Sequence, residues 1–217
     1  MKKYFQSLFS KSPLALVIVL LSVFSGQGSA QTTLIDPAGA GGFELGSTFA
    51  ANGWTVVNGV GVTNQWFLGT VPTLFPTNSA YASDNVTGAT HTYGTTGSIV
   101  HFYRDITLPA GETNLAYSYQ WYNQGESTFD FWQVSIGSTS IVPVAANGIT
   151  GTSPLANPLI PGTIVIGAHN LQSTVQTTSG NASSASLGNC FAPVSVRIFF
   201  TWRNDGSVFN QPPAAID

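Results

Sequence analysis

Between Pro193 and Asn204, Val194, Val196, Ile198, Phe200 and Trp202 alternate strictly with Ser195, Arg197, Phe199, Thr201 and Arg203. Side chains two apart share a face only when the backbone is extended, so this period marks a β-strand with one side in a core. Asn204-Asp205-Gly206 supplies turn chemistry behind it. The same period recurs upstream. Leu115, Tyr117, Tyr119 and Trp121 alternate with Ala116, Ser118 and Gln120; Val100, Phe102 and Ile106 share a parity in Ile99–Leu108; Trp132, Val134 and Ile136 share one in Phe129–Ile136. Shorter strand-like runs are Phe43–Leu45, Trp54–Val57, Gln65–Leu68, Ser79–Ser83, Ile141–Val144 and Thr163–Ile166. Pro72 and Pro76 punctuate one connection, a Pro/Gly-rich loop covers 146–162, and the Ser/Thr/Asn/Gly tract Ser173–Asn189 reads as a mobile loop. Past residue 30 no stretch carries a helical period. Many short strands with frequent turn signals predict an all-β antiparallel sandwich or barrel.

The first 30 residues read as an address. Lys2, Lys3 and Lys11 form a basic start, Leu14–Phe24 is apolar, and Gly28-Ser29-Ala30 places small residues where a signal peptidase cuts. An apolar run this short falls below the roughly 20 residues a membrane helix needs. The layout predicts a secretory signal over 1–30, cleavage after Ala30, and a secreted or cell-surface protein with no membrane insertion afterwards. Downstream, the cations are Arg104, Arg197 and Arg203 alone, against Asp36, Glu44, Asp84, Asp105, Glu112, Glu126, Asp130, Asp205 and Asp217, a net charge of −6. A nucleic-acid partner needs clustered cations to neutralise phosphates, and an anionic membrane surface needs them too; both are excluded. With so few cations, each arginine is predicted to pair with a carboxylate. Cys190 is the single cysteine, so no internal disulfide forms, and its setting suits a buried thiol rather than a nucleophile.

A further resemblance rests on particular residues. These are Phe43-Glu44, Asn52-Gly53-Trp54, Gln65-Trp66, the stretches Ser79–Asp84, His101–Asp105 and Leu108–Glu112, and the tail Phe200–Gly206 followed by Pro212–Asp217. The set resembles the jelly-roll modules of large secreted bacterial surface proteins, related to the cleaved-adhesin, anchor-type and MAM-like sandwiches. The resemblance spans about 42–217, leaving 31–41 as a lead-in linker. It implies an antiparallel jelly-roll β-sandwich whose closing strand, opened by Ile216-Asp217, is cut short, with flanking domains elsewhere in a longer parent chain. It also implies a non-catalytic adhesion or binding module for an extracellular glycan or surface protein. The competing readings are an accessory domain of a secreted hydrolase and a structural spacer.

Candidate sites follow from chemistry. Trp66, Tyr122 and Trp132, beside Gln65, Asn123, Gln124 and Asp130, could form an aromatic platform with polar groups for a sugar; the competing use of these rings is core filling. The resemblance implies a structural calcium site joining the first and last strands, which would draw on Glu44, Asp84 and Asp217; calcium takes six to eight oxygens. No cofactor is required otherwise. Neither HExxH nor GxSxG occurs, nor the E-x-D-x-E strand motif of jelly-roll glucanases, and His91, His101 and His169 lack metal-ligand spacing. Glu126 and Asp130 are the one close acid pair in a strand-rich region.

Overall fold

The structure is a computed structural model and describes residues 32–112, 114–183, 192–208 and 210–217. The signal segment, Cys190 and the end of the polar tract lie outside the described residues. Eleven strands follow in order: β1 Thr55–Val57, β2 Gln65–Gly69, β3 Ser79–Ser83, β4 Ser98–Leu108, β5 Asn114–Asn123, β6 Phe131–Ser138, β7 Ala146–Asn147, β8 Ile164–His169, β9 Gln172–Ser183, β10 Val194–Asn204 and β11 Ala215–Ile216. They form two antiparallel sheets. One has the order β1-β4-β10-β6-β8, with β7 also pairing β4; the other has the order β2-β3-β11-β5-β9. The chain is an all-β antiparallel sandwich, as the alternation predicts. Leu34–Asp217 forms one compact unit.

The sheets meet through the alternating residues. Phe102 and Phe200 stack face to face at 4.7 Å across the β4/β10 pair, and Trp54 and Trp66 meet Phe102 edge-on at 5.4 and 4.9 Å. Burial of such large side chains contributes roughly 2–3 kcal/mol each. Beneath β6 and β5, Trp132, Trp121 and Tyr119 enclose His169.

The predicted elements differ from the observed ones in four places. Phe43–Leu45 is not a strand: Phe43 takes φ 59°, and its ring turns into the core against Phe49, Trp54 and Phe102. The lead-in carries structure of its own, with a helical turn over Pro37–Gly41 begun by Asp36, whose carboxylate accepts the Ala38 N–H. Leu34 and Ile35 pack on the core, and the Trp54 indole donates to Ala40 O. The strand read at 141–144 lies slightly later, as β7. The tract read as a mobile loop from Ser173 is instead β9, the longest strand, paired along β5 from Asn114↔Ser183 to Asn123↔Gln172.

The alternation predicts one solvated face on β10, yet every residue from Val196 to Asn204 is buried. The long 139–163 connection covers that outer face. Gln133 on β6 holds it, donating to Leu155 O and Asn157 O and accepting from Leu159 N–H. Arginines hold it too. Arg197 donates to Ile141 O and forms a two-point ion pair with Asp105 at 2.6 and 2.9 Å. Arg203 donates to the carbonyls of Phe129, Thr150 and Gly151. Among the described residues only Arg197 has a carboxylate partner; Arg104 donates to Asn52 O beside the Trp54 ring. The expectation of one carboxylate per arginine is corrected: backbone carbonyls of crossing loops serve two of the three.

Candidate functional site

The residues read as a sugar platform are all enclosed. Trp66 and Trp132 are 1% and 0% exposed, Tyr122 is 5% and Asp130 is 0%. Trp66 donates its indole N–H to Val100 O, inside the sandwich. Tyr122 packs with Phe75, Tyr81 and Ala215 on the far side of the second sheet, under the 71–76 segment. No face of these rings is open to a sugar, so the platform reading is corrected to core packing. A gap of roughly 10 Å between sheets has to be filled, and Trp66 and Trp132 help to fill it, while Tyr122 fills a smaller core on the outer face of the second sheet.

Asp130 belongs to a buried polar knot. Tyr93 donates its hydroxyl to Asp130 Oδ2 at 2.7 Å, and the Asp205 N–H donates to Oδ1 at 3.0 Å. Burial raises the Asp130 carboxyl to about 6; the negative charges of Asp205 and Glu126 push the same way, and the two hydrogen bonds oppose them. Burial also carries the Tyr93 hydroxyl far above its ordinary range, with Asp130 adding to the effect. The shifted carboxyl therefore has a structural cause: it joins the 84–96 loop, β6 and the turn after β10.

Of the three acids read for calcium, two come together. Asp217 bonds to Gln120 through its backbone in both directions, and its carboxyl is raised by burial and then by the charge of Glu44. Glu44 in turn accepts the Asn78 N–H at 3.2 Å, just before β3. Asp84 lies past the other end of β3, where it accepts the Thr92 hydroxyl at 2.8 Å. A strand rises about 3.3 Å per residue, which separates the two ends by about 20 Å. Among the described residues no group of three His, Cys, Asp or Glu is placed to hold a metal ion. Two carboxylates alone fall short of a calcium shell, so Glu44, Asp84 and Asp217 do not fit as a joint site.

The open chemistry lies on a rim that the sequence did not single out. The 58–64 loop and the segment leading into β7 are tied together by Asn147, which donates to Gly61 O at 2.8 Å and accepts the Thr63 N–H at 3.1 Å. They touch so closely that a Cβ at Gly59, whose φ is 72°, would come within 2.8 Å of Val62 and 3.0 Å of Ala145. His101, neutral because burial lowers its pKa to about 4, fixes the segment from beneath. Its Nε2 lies 3.2 Å from Val144 O and its Nδ1 2.9 Å from Thr201 Oγ1. A carbonyl can only accept, so Nε2 carries the proton and Nδ1 accepts from the threonine. On these two rigidly joined segments Val60, Val142 and Val144 are 107%, 73% and 74% exposed. The signal for them was the pair of motifs Gly-Val-Gly and Val-Pro-Val, each an apolar side chain stranded in turn chemistry. No protein-family model matches the chain, and no curated protein matches it.

Proposed function

We propose that residues 34–217 are a non-catalytic binding module of an exported cell-surface protein, one that holds an extracellular protein partner through the Val60/Val142/Val144 rim. The observation carrying this reading is the exposure of three valines on two segments locked to each other by Asn147 and Gly59. Apolar side chains held rigidly in water favour protein contact, because little ordering entropy remains to be lost on binding. The leader-like residues 1–30 and the resemblance to surface-protein modules support export. Sealing of Asp130 beneath Tyr93 favours a structural over a hydrolytic role for the Glu126/Asp130 pair. Burial of Trp66, Tyr122 and Trp132 shifts the expected ligand from glycan to protein.

The test is binding of the purified chain to a panel of extracellular matrix and cell-surface proteins, alongside a glycan array. A V60S/V142S/V144S variant should lose at least about tenfold in affinity for a protein ligand, about 1.4 kcal/mol, with its melting temperature unchanged. Binding confined to glycans, or protein binding that survives the triple substitution, would overturn the reading.

A further inference from the structure

β9 is an edge strand: among the described residues it pairs with β5 on one side and with no strand on the other. The phase of its ladder is fixed by the pair Gln120 and Asp217, which exchange both backbone bonds. In an antiparallel sheet successive residues bond to opposite neighbours. Gln120 therefore turns toward β11, while Tyr117 and Tyr119 turn toward their β9 partners Gly180 and Thr178. Thr177, Ser179 and Asn181 are left with N–H and C=O directed away from the sheet. Their side chains are exposed, and among the described residues nothing caps those backbone groups.

Proteins usually guard such an edge with lysine, proline, a bulge or shortness. β9 has none of these over Gln176–Ser183: it is uncharged, lacks proline, and keeps unbroken register there. The other sheet edges are shorter, with three residues in β1, five in β2 and six in β8. Charge selects the partner. Beyond residue 30 the chain carries nine acids against three arginines, so two copies repel each other in most orientations. β9 itself, Gln172–Ser183, has no charged residue, so this strand meets its own copy without opposition. Its Ser, Thr, Asn and Gln side chains can bond across a strand pair.

We propose that β9 pairs antiparallel with β9 of a second copy about a two-fold axis, merging two five-stranded sheets into one continuous sheet. A contact of this kind uses the same patch on both partners, so it closes as a dimer and does not propagate. It rests on a different sheet and different residues from the valine rim. An edge-only contact is small, which places it among weak, reversible interfaces.

Sedimentation of the purified chain from about 10 µM to about 1 mM tests this over the range weak interfaces occupy. The mass should rise from monomer toward dimer and stop there, while exchange of the Thr177, Ser179 and Asn181 amides slows. S179K and S179E should each shift the equilibrium to monomer by at least about tenfold, since like charges meet near the axis. An equal mixture of the two should restore dimer. T177K should act as S179K does, and V60S/V142S/V144S should leave the dimer intact. A monomer at every concentration, assembly beyond the dimer, or a dimer untouched by both S179K and T177K overturns the proposal. So does a dimer abolished by the valine variant.

Discussion

Asp130 shows how a single side chain can look functional in sequence and turn out structural. Four residues from Glu126, it reads as half of an acid pair. The fold encloses it completely and gives each oxygen one donor. Its carboxyl rises from 3.8 to about 6, chiefly through burial. A group raised in the folded state contributes stability that is fully present below about 3.8 and lost as pH climbs through 6. At 1.36 kcal/mol per pKa unit, the loss amounts to about 3 kcal/mol. Asp130→Asn keeps an acceptor for the Asp205 N–H and carries no charge. The stability of the wild type relative to this variant should therefore fall between pH 4 and 6 and stay level above. Urea titrations across that range check it, and a difference that does not vary with pH refutes it. Arg197 makes a second residue-scale case. Its two bonds to Asp105, its bond to Ile141 O and its seat 3.9 Å over the Tyr103 ring all end with one substitution. Arg197→Ala should cost about 2–3 kcal/mol, because a half-exposed carboxylate and a loop carbonyl lose their partner together. Chemical denaturation reads that loss directly.

At the scale of elements, legibility followed the contrast between neighbouring side chains. β4, β5, β6 and β10 alternate large apolar with polar residues, and each could be read to within a few positions of its observed ends. β9 could not. Its inner positions are Gln176, Thr178, Gly180 and Ala182, as polar or small as its outer ones, so no period shows. The reason lies across the ladder. Tyr117 lies over Gly180, where an added Cβ would sit 2.5 Å from its hydroxyl oxygen, and the Trp121 indole donates to Thr178 Oγ1 at 2.9 Å. The aromatics of β5 supply the bulk for both strands, so β9 must be small. Gly180→Val should displace Tyr117 and break its 2.8 Å bond to Ile166 O, which ties the two sheets on that side. Overpacking plus the lost bond should cost about 2–4 kcal/mol, measurable as a lower thermal midpoint. An unchanged midpoint would show that Tyr117 has room to move. The candidate site was less legible than the fold for a related reason. Aromatic residues near polar ones look alike in sequence whether they line a cleft or fill a core. The valines that do face water are short, ordinary residues on two loops that Asn147 joins and that meet closely at Gly59.

Across the whole molecule, the three histidines set the response to acid. His91 sits against Ala214 O, His101 joins β4 and β10 to the segment before β7, and His169 is held between Trp121 and Trp132 with the Tyr119 hydroxyl 2.7 Å from Nε2. Burial lowers each from 6.5 to about 4. A histidine depressed in the folded state contributes stability that is present above its unfolded pKa of 6.5 and lost as pH falls toward 4. Asp130 and Asp217 are shifted upward and act in the opposite sense. Each fully titrating group changes stability by about 1.4 kcal/mol per pH unit. Three histidines against two acids leave a net loss of stability on acidification. Above pH 6 the opposition from Asp130 fades, because its carboxyl is then mostly ionised in the folded state as well. The three lie in different parts of one packed body, so protonating any of them destabilises the same cooperative unit. The thermal midpoint should therefore fall steadily from pH 6.5 to 4 in a single transition, and His101→Gln should make that decline shallower. A midpoint that rises on acidification would mean the carboxyls outweigh the histidines, and a split transition would mean that the two sheets and their covering loops do not unfold as one.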